Sequence, residues 1–273
     1  MQVEQAVRIP FAQIDAFADA PFAGNPAAVM PLSAWLDDAV LQAIAAENNL
    51  SETAFLIPDA SGAADFELRW FTPAAEVALC GHATLASGHF VLSSEQDATR
   101  ERVTFSTRQA GVLEVTRVHS GYALALPAWG PSPRDLPGVA EALGVDAPVA
   151  TLWHDKGYAL IVASDAAAVR RLDPTVAALA GLDPMVAVVT APGDETDIVS
   201  RVFTPGYGIH EDPVTGSAHA VAVPYWAERL GRTRFTAFQA SARGGRLTCS
   251  LEGDRVVLGG NCVTVIEGTF LLP

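Results

Sequence analysis

Arg69-Trp70-Phe71-Thr72-Pro73, followed by Cys80-Gly81-His82-Ala83, recurs later in the chain as Arg201-Val202-Phe203-Thr204-Pro205, followed by Thr215-Gly216-Ser217-Ala218. In each run a strand-like stretch is stopped by a proline, which has no N–H for a ladder. A loop then leads into a glycine, a polar residue and an alanine that open a helical pattern. The Phe-to-Gly spacing is 10 residues in the first run and 13 in the second, so the second loop is longer. A repeat with an offset of about 130 residues implies two related domains, not a solenoid of small units.

Reading outward from the first cassette, residues 11–17 alternate as a strand, and a turn, Pro21-Phe22-Ala23-Gly24-Asn25-Pro26, leads to a second strand. Residues 37–48 read as a helix, with Val40, Leu41 and Ile44 on one face and Asp37 and Asp38 in its first turn. Residues 51–58 and 66–73 read as strands, 81–92 as a helix, and the run up to residue 128 as a meander. The chain turns polar and proline-rich over 127–137, which places a domain junction there: 1–128 and 129–273, with the last strands able to cross back to the first domain. The second series repeats the pattern. Helices are expected at 137–144, 165–181 and 217–231, with strands between them and a closing run of hairpins. Strands and helices mixed in this way make the fold class α+β.

Of the 273 residues, 50% are apolar, enough for sizeable cores, and the formal net charge is -14. So acidic a chain, with no Lys/Arg cluster, argues against a nucleic-acid partner. No apolar run reaches the length that spans a bilayer, and the N-terminus has no basic start followed by an apolar run, so neither a membrane nor a secretory route is expected. The three cysteines, Cys80, Cys249 and Cys262, are widely spaced and form no CxxC pair, which fits free thiols in the cytoplasm. No phosphate loop and no dinucleotide fingerprint follows a strand. His82, His89, His210 and His219 show no HExxH-type spacing. No cofactor and no metal are expected, and the protein's own groups must do the chemistry.

The two cassettes offer such chemistry. The first turn of a helix leaves N–H groups unpaired at the positive end of its dipole. Gly81 and Gly216 let a ligand approach the backbone, and His82 and Ser217 add side-chain donors. Two such helix starts facing each other would bind a substrate carboxylate, or an enolate forming beside it. Glu52, in the polar turn Asn49-Leu50-Ser51-Glu52-Thr53, enters an apolar strand; it suits general acid/base work, and equally suits a surface loop or a cap. Asp212, in His210-Glu211-Asp212-Pro213, reads as a capping residue, a second acid/base, or a partner that holds His82. Cys80 either lines the pocket or is a small buried residue. The other histidines, His119 and His154 among them, read as surface or packing residues.

Taken in order, Asp15-x-Phe17, Gly24-Asn25-Pro26-x-x-Val29, Asn49-Leu50-Ser51-Glu52-Thr53-x-Phe55, Phe71-Thr72-Pro73, Cys80-Gly81-His82-Ala83-Thr84-Leu85-Ala86 and Glu211-Asp212-Pro213-Val214-Thr215-Gly216-Ser217-Ala218-His219 resemble the PhzF family, the phenazine-biosynthesis-type isomerases. The resemblance runs through nearly the whole chain. It implies the diaminopimelate epimerase-like fold, in which each of two related domains is a curved sheet or barrel around a central helix, with the active site between them, and it implies a homodimer. It assigns the general acid/base to Glu52, completes the site with His82, Asp212 and Ser217, and puts Asn25 near the substrate. Epimerases and proline racemases that resemble the same cassettes use a cysteine in each half. Here the second cassette has Thr215 opposite Cys80, and a hydroxyl is too weak a base at carbon for a two-thiol mechanism.

The expected function is therefore a cofactor-independent isomerase acting on a small carboxylate-bearing substrate. Two other readings stand beside it. Ser217 with a histidine and Asp212 would make a serine-type hydrolase, although no GxSxG elbow is present. The fold without activity would make a small-molecule-binding module.

Overall fold

The computed structural model describes residues 7–94, 99–174 and 176–272; the first six residues of the N-terminal stretch read above lie outside it. The chain divides into two compact units. The first comprises residues up to 22, then 26–124, and the C-terminal stretch from 261. The second comprises 23–25 and 125–260, so Asn25, which lies in the first half of the sequence, groups with the second unit.

The first unit is built from β1 (Val7–Ala16), β2 (Asn25–Pro31), α1 (Asp38–Asn48), β3 (Glu52–Pro58), β4 (Phe66–Phe71), β5 (Glu76–Val77), α2 (Gly81–Leu92), β6 (Arg102–Thr107), β7 (Val112–Val118) and the start of β8 (Gly121–Pro127). β2 runs parallel to β3, β3 antiparallel to β4, β4 antiparallel to β5, β4 parallel to β6, and β6 antiparallel to β7. The parallel step from β4 to β6 is a crossover through α2, as parallel neighbours require. α2 has the all-round small and apolar composition of a buried helix, and ten of its residues from Gly81 to Leu92 are buried. It packs against β1, β3, β6 and β7. The close fit depends on Gly88, because a Cβ there would lie 2.3 Å from Cγ1 of Val115. α1 covers another face, where Leu41, Ile44 and Ala45 join Met30, Phe55 and Phe71 in a second cluster.

The second unit contains β9 (Ser132–Pro133), α3 (Pro137–Leu143), β10 (Ala150–His154), β11 (Tyr158–Val162), α4 (Ala166–Arg170), α5 (Val176–Ala180), β12 (Val186–Pro192), β13 (Ile198–Thr204), β14 (Ile209–Asp212), α6 (Gly216–Leu230), β15 (Arg234–Gln239), β16 (Gly245–Glu252) and β17 (Arg255–Gly260). Its pairing repeats that of the first unit: β11 parallel to β12, then β13 antiparallel to β12, β14 antiparallel to β13, β15 parallel to β13 and β16 antiparallel to β15. The sequence cassettes are thus matched by a duplicated topology, with α6 in the place of α2. α6 packs against β11, β12, β16 and β17 and carries Pro224 in its interior. Proline cannot donate to the carbonyl of residue 220. The backbone N–H of Trp129 donates to Ala220 O at 3.0 Å instead, so the helix continues with that acceptor satisfied.

One expectation fails here. The helix expected over 165–181 is two short helices, α4 and α5, with residue 175 outside the described set. Pro174 is the cause, because a proline disfavours the helical conformation of the residue before it. Asp165 caps α4 by accepting the N–H of Ala168 at 2.8 Å. After β17 the chain ends in β18 (Cys262–Leu272), which pairs antiparallel with β1 from Val7↔Leu272 to Ala16↔Cys262, with a register shift between Gln13 and Ile14.

Candidate active site

Each unit has its own polar cluster at the start of its buried helix. In the first, β3 begins at Glu52 and α2 at Gly81. β3 is central in its sheet, with Thr53, Ala54, Phe55 and Leu56 buried, so its first residue brings a carboxylate to the rim of a mostly apolar core. Glu52 keeps 12% side-chain exposure, and its Oε2 lies 3.0 Å from Nε2 of the buried His82. On the other side of that ring, Nδ1 is 3.4 Å from Sγ of Cys80. Burial disfavours a charged imidazole, but the Cys80 sulfur and the Glu52 carboxylate outweigh it, and His82 titrates well above its ordinary value. Burial first, and the Glu52 charge second, push the Cys80 thiol up to about 11.

These three side chains are the only group among the described residues with the ligand atoms to hold a metal ion, with Glu52, Cys80 and His82 atoms within 4.8 Å of one another. Of the other histidines, His89 contacts Tyr122 and Thr264, at 3.1 and 2.9 Å, and the Nδ1 of His219 contacts the Thr215 carbonyl at 2.9 Å.

In the second unit Asp212 ends β14 and is buried. Its Oδ1 accepts from Asn25 Nδ2 at 2.8 Å, and its Oδ2 accepts from the Thr215 hydroxyl. Asn25, fully buried, also donates to the Val214 carbonyl at 2.9 Å. Thr215 is the N-cap position of α6, and Gly216 and Ser217 are the first helical residues. Ser217 is half-buried. Asn25, Asp212, Gly216 and Ser217 are thus brought together with Thr215, while Glu52, Cys80, Gly81 and His82 are brought together in the first unit. His219 does not serve Ser217 as a base. Its Nδ1 is engaged by the Thr215 carbonyl, its Nε2 is 3.5 Å from Ser200 Oγ, and burial lowers its pKa. His219 is therefore not the histidine that a serine-hydrolase reading of Ser217 requires.

The Arg-x-Phe-Thr-Pro motif itself is structural. Arg69 meets Glu76 through two hydrogen bonds, both 2.8 Å, across the β4–β5 hairpin. Arg201 meets Glu211 in the same way, at 2.7 and 2.8 Å, across β13–β14. Each guanidinium stacks on the phenylalanine two residues on, 4.9 Å from Phe71 and 5.0 Å from Phe203. The threonine hydroxyls, Thr72 and Thr204, each donate at 3.1 Å to a carbonyl beyond the turn, of Ala75 and Ile209. Each cassette is a clamped hairpin that delivers the chain to its helix start. Gln239 was not read from the sequence at all. It is fully buried, accepts the Thr215 N–H at 2.8 Å and donates to the Asp212 carbonyl at 2.6 Å.

A family model described as phenazine biosynthesis-like protein, PhzC-PhzF, matches residues 14–268. The chain belongs to the PhzF family. An uncharacterized isomerase of Pseudomonas aeruginosa is 49% identical over 261 residues, covering 95% of this chain and 98% of that protein. A crystal structure of a PhzF-family phenazine biosynthesis protein from Enterococcus faecalis superposes with a TM-score of 0.89 at 42% identity, over 97% of this chain and 100% of that one. A hydroxyproline epimerase from Agrobacterium vitis has a TM-score of 0.64 at 10% identity, over 100% of this chain and 94% of that one, a likeness of fold alone. The α+β, epimerase-like fold expected from the sequence is the fold of this PhzF-family chain. Among its described residues no helix is long and apolar enough to cross a membrane.

Proposed function

We propose that this PhzF-family protein is an isomerase that moves a proton from one carbon to another on a small carboxylate-bearing substrate, with Glu52 as the proton carrier. The observation that carries the reading is the Glu52–His82 contact of 3.0 Å at the start of α2. A carboxylate on the rim of an apolar core is a competent base toward a C–H made acidic by a neighbouring carbonyl or conjugated system. The kinship with proteins named isomerases agrees with it.

The step balances without a redox partner. Glu52 removes a proton, and the C–H electron pair is delocalised into the substrate as a dienolate or enolate. The His82 imidazolium and the first-turn N–H groups of α2, Gly81 foremost, stabilise that negative charge. The protonated Glu52, whose side chain keeps 12% exposure, exchanges its proton with water and then delivers a proton to a different carbon. Asn25, Gly216, Ser217 and the Asp212 loop are assigned to binding: a carboxylate accepts hydrogen bonds from the first-turn N–H groups of α6 and from the Ser217 hydroxyl. Cys80 supports His82 and transfers no proton at neutral pH, because its thiol is held at about 11.

The test is solvent-deuterium incorporation. The protein is incubated in D2O with a panel of unsaturated and hydroxylated carboxylic acids, and carbon-bound deuterium is followed by mass spectrometry, with Glu52→Gln in parallel. Uptake in the wild type and its loss by about 100-fold or more in Glu52→Gln is the expected result. Full turnover in the variant sinks the assignment of Glu52.

A further inference from the structure

The segment Gln239-Ala240-Ser241-Ala242-Arg243-Gly244 links β15 to β16 and carries no recognised motif. Its polar groups reach in two directions. Toward residues 212–215, Gln239 accepts the Thr215 N–H at 2.8 Å and donates to the Asp212 carbonyl at 2.6 Å, and Ser241 Oγ donates to the Pro213 carbonyl at 2.8 Å. Toward residues 23–25, Arg243 donates through Nε to Gly24 O and through Nη2 to Ala23 O, both at 2.9 Å, and the Gly24 N–H donates to Gly244 O at 2.7 Å. The bracket is closed on itself, because the Gly244 N–H donates to Ser241 Oγ at 3.1 Å. Gly244 has φ +64, and a Cβ there would lie 2.9 Å from the Phe238 ring. One turn thus grips the two backbone segments whose side chains meet as Asn25 and Asp212.

The residue types fit this task closely. The Thr215 and Asp212 backbone groups require an acceptor and a donor on one side chain of this length, which a glutamine amide provides and an ionised glutamate does not. Two successive carbonyls, Ala23 and Gly24, are met by the fork of a guanidinium; a lysine ammonium has no such fork. Side-chain groups that bind a substrate act well only when neighbours hold them within a fraction of an ångström.

We propose that Gln239 and Arg243 are positioning residues for carboxylate binding by this unit. They fix Asn25 and the Asp212–Thr215 loop so that the start of α6 receives the substrate in one geometry. This rests on the proposed assignment of Asn25, Gly216 and Ser217 to substrate binding.

The test uses the whole, 15N-labelled protein and benzoate as the carboxylate probe. In the wild type, benzoate is expected to shift the Gly216 and Ser217 amides and the Asn25 side-chain amide. Gln239→Leu and Arg243→Lys are expected to weaken benzoate by about tenfold or more. Gln239→Leu is also expected to speed hydrogen exchange at the Thr215 amide. Gln239→Glu separates positioning from simple loss of packing: it binds poorly at about pH 8 and recovers toward wild type at about pH 5, where a protonated carboxyl again donates to Asp212 O. If Gln239→Leu does not fold, Arg243→Lys and Gln239→Glu carry the test. Benzoate binding of wild-type strength in Arg243→Lys and in Gln239→Glu at both pH values overturns the proposal. No benzoate shift at Gly216 and Ser217 in the wild type is a different failure: it removes the carboxylate assignment itself, and the positioning role with it, even if Thr215 exchange still responds.

Discussion

Nε2 of His82 stands 3.0 Å from Oε2 of Glu52, with 4% of the histidine side chain and 12% of the glutamate side chain exposed. Charges so close and so nearly dry are coupled, and the coupling has a readable consequence for stability. The folded-state pKa of His82 is raised well above 6.5. Its contribution to stability is therefore fully present below the unfolded-state value and is lost as pH rises through the folded-state value.

Between those two limits the folded state holds a proton that the unfolded state has released. Each pH unit in that window should remove roughly 1.4 kcal/mol from this contribution. Urea unfolding of the wild type and of Glu52→Gln across pH 6 to 9 checks it. The wild type should lose stability faster with rising pH than the variant, in which the carboxylate no longer holds the histidine proton. Parallel slopes would show that His82 is not charged by Glu52.

The state of Cys80 gives a second prediction. Its thiol is buried and pushed up to about 11, so it is un-ionised at neutral pH. Cys80→Ala should keep turnover within about tenfold of the wild type, whereas a thiolate nucleophile or base would lose several orders of magnitude. The pH–rate profile should show no limb that disappears in the variant. Loss of activity on the scale of Glu52→Gln would restore a thiol mechanism.

The clamped hairpins predict unequal costs for two substitutions at one position. Arg201 is 13% exposed, pairs with Glu211 through two bonds, and donates from Nη1 to the Leu172 carbonyl at 2.6 Å. Arg201→Met removes all three donors and leaves a carboxylate with only 24% exposure. The expected loss is about 2–4 kcal/mol, toward the lower end of the range for broken buried pairs because water reaches part of Glu211. Arg201→Lys keeps the charge but not the fork, so it should recover less than half of that loss. Urea midpoints of the two variants decide it.

The sequence made the duplication legible because Arg69 to Ala83 and Arg201 to Ala218 repeat a local pattern, strand stop followed by helix start, that is set by residues close together in the chain. The same locality explains why α2 and most strands were readable. What the pattern does not carry is partnership at a distance. Glu76 and Glu211 lie in the short strands β5 and β14, and nothing in their sequence neighbours marks them as the arginines' partners. β14 was missed because its four residues, Ile209 to Asp212, are mostly polar and show no apolar alternation. Gln239 is 24 positions from Thr215, at the end of an unremarkable strand, and only the folded chain shows that its amide holds the loop.

Gly88 provides the last prediction, and it runs against helix propensity. Glycine inside a helix costs about 1 kcal/mol relative to alanine, so Gly88→Ala would normally stabilise α2. Here an added Cβ would lie 2.3 Å from Val115 Cγ1 and 2.6 Å from Val115 Cβ. Val115 is fully buried in β7, and a β-branched side chain has few rotamers to retreat into. The overlap must be relieved by moving the helix or the strand, so Gly88→Ala should destabilise by about 1–3 kcal/mol. Val115→Ala alone opens a small cavity and should also destabilise. In the double variant the new methyl occupies the space that the valine vacates, and alanine's propensity is regained. The double variant should therefore be more stable than Gly88→Ala alone, with a coupling of at least about 1 kcal/mol between the two sites in a double-mutant cycle. Simple additivity would show that α2 and β7 approach less closely than the 2.3 Å overlap implies.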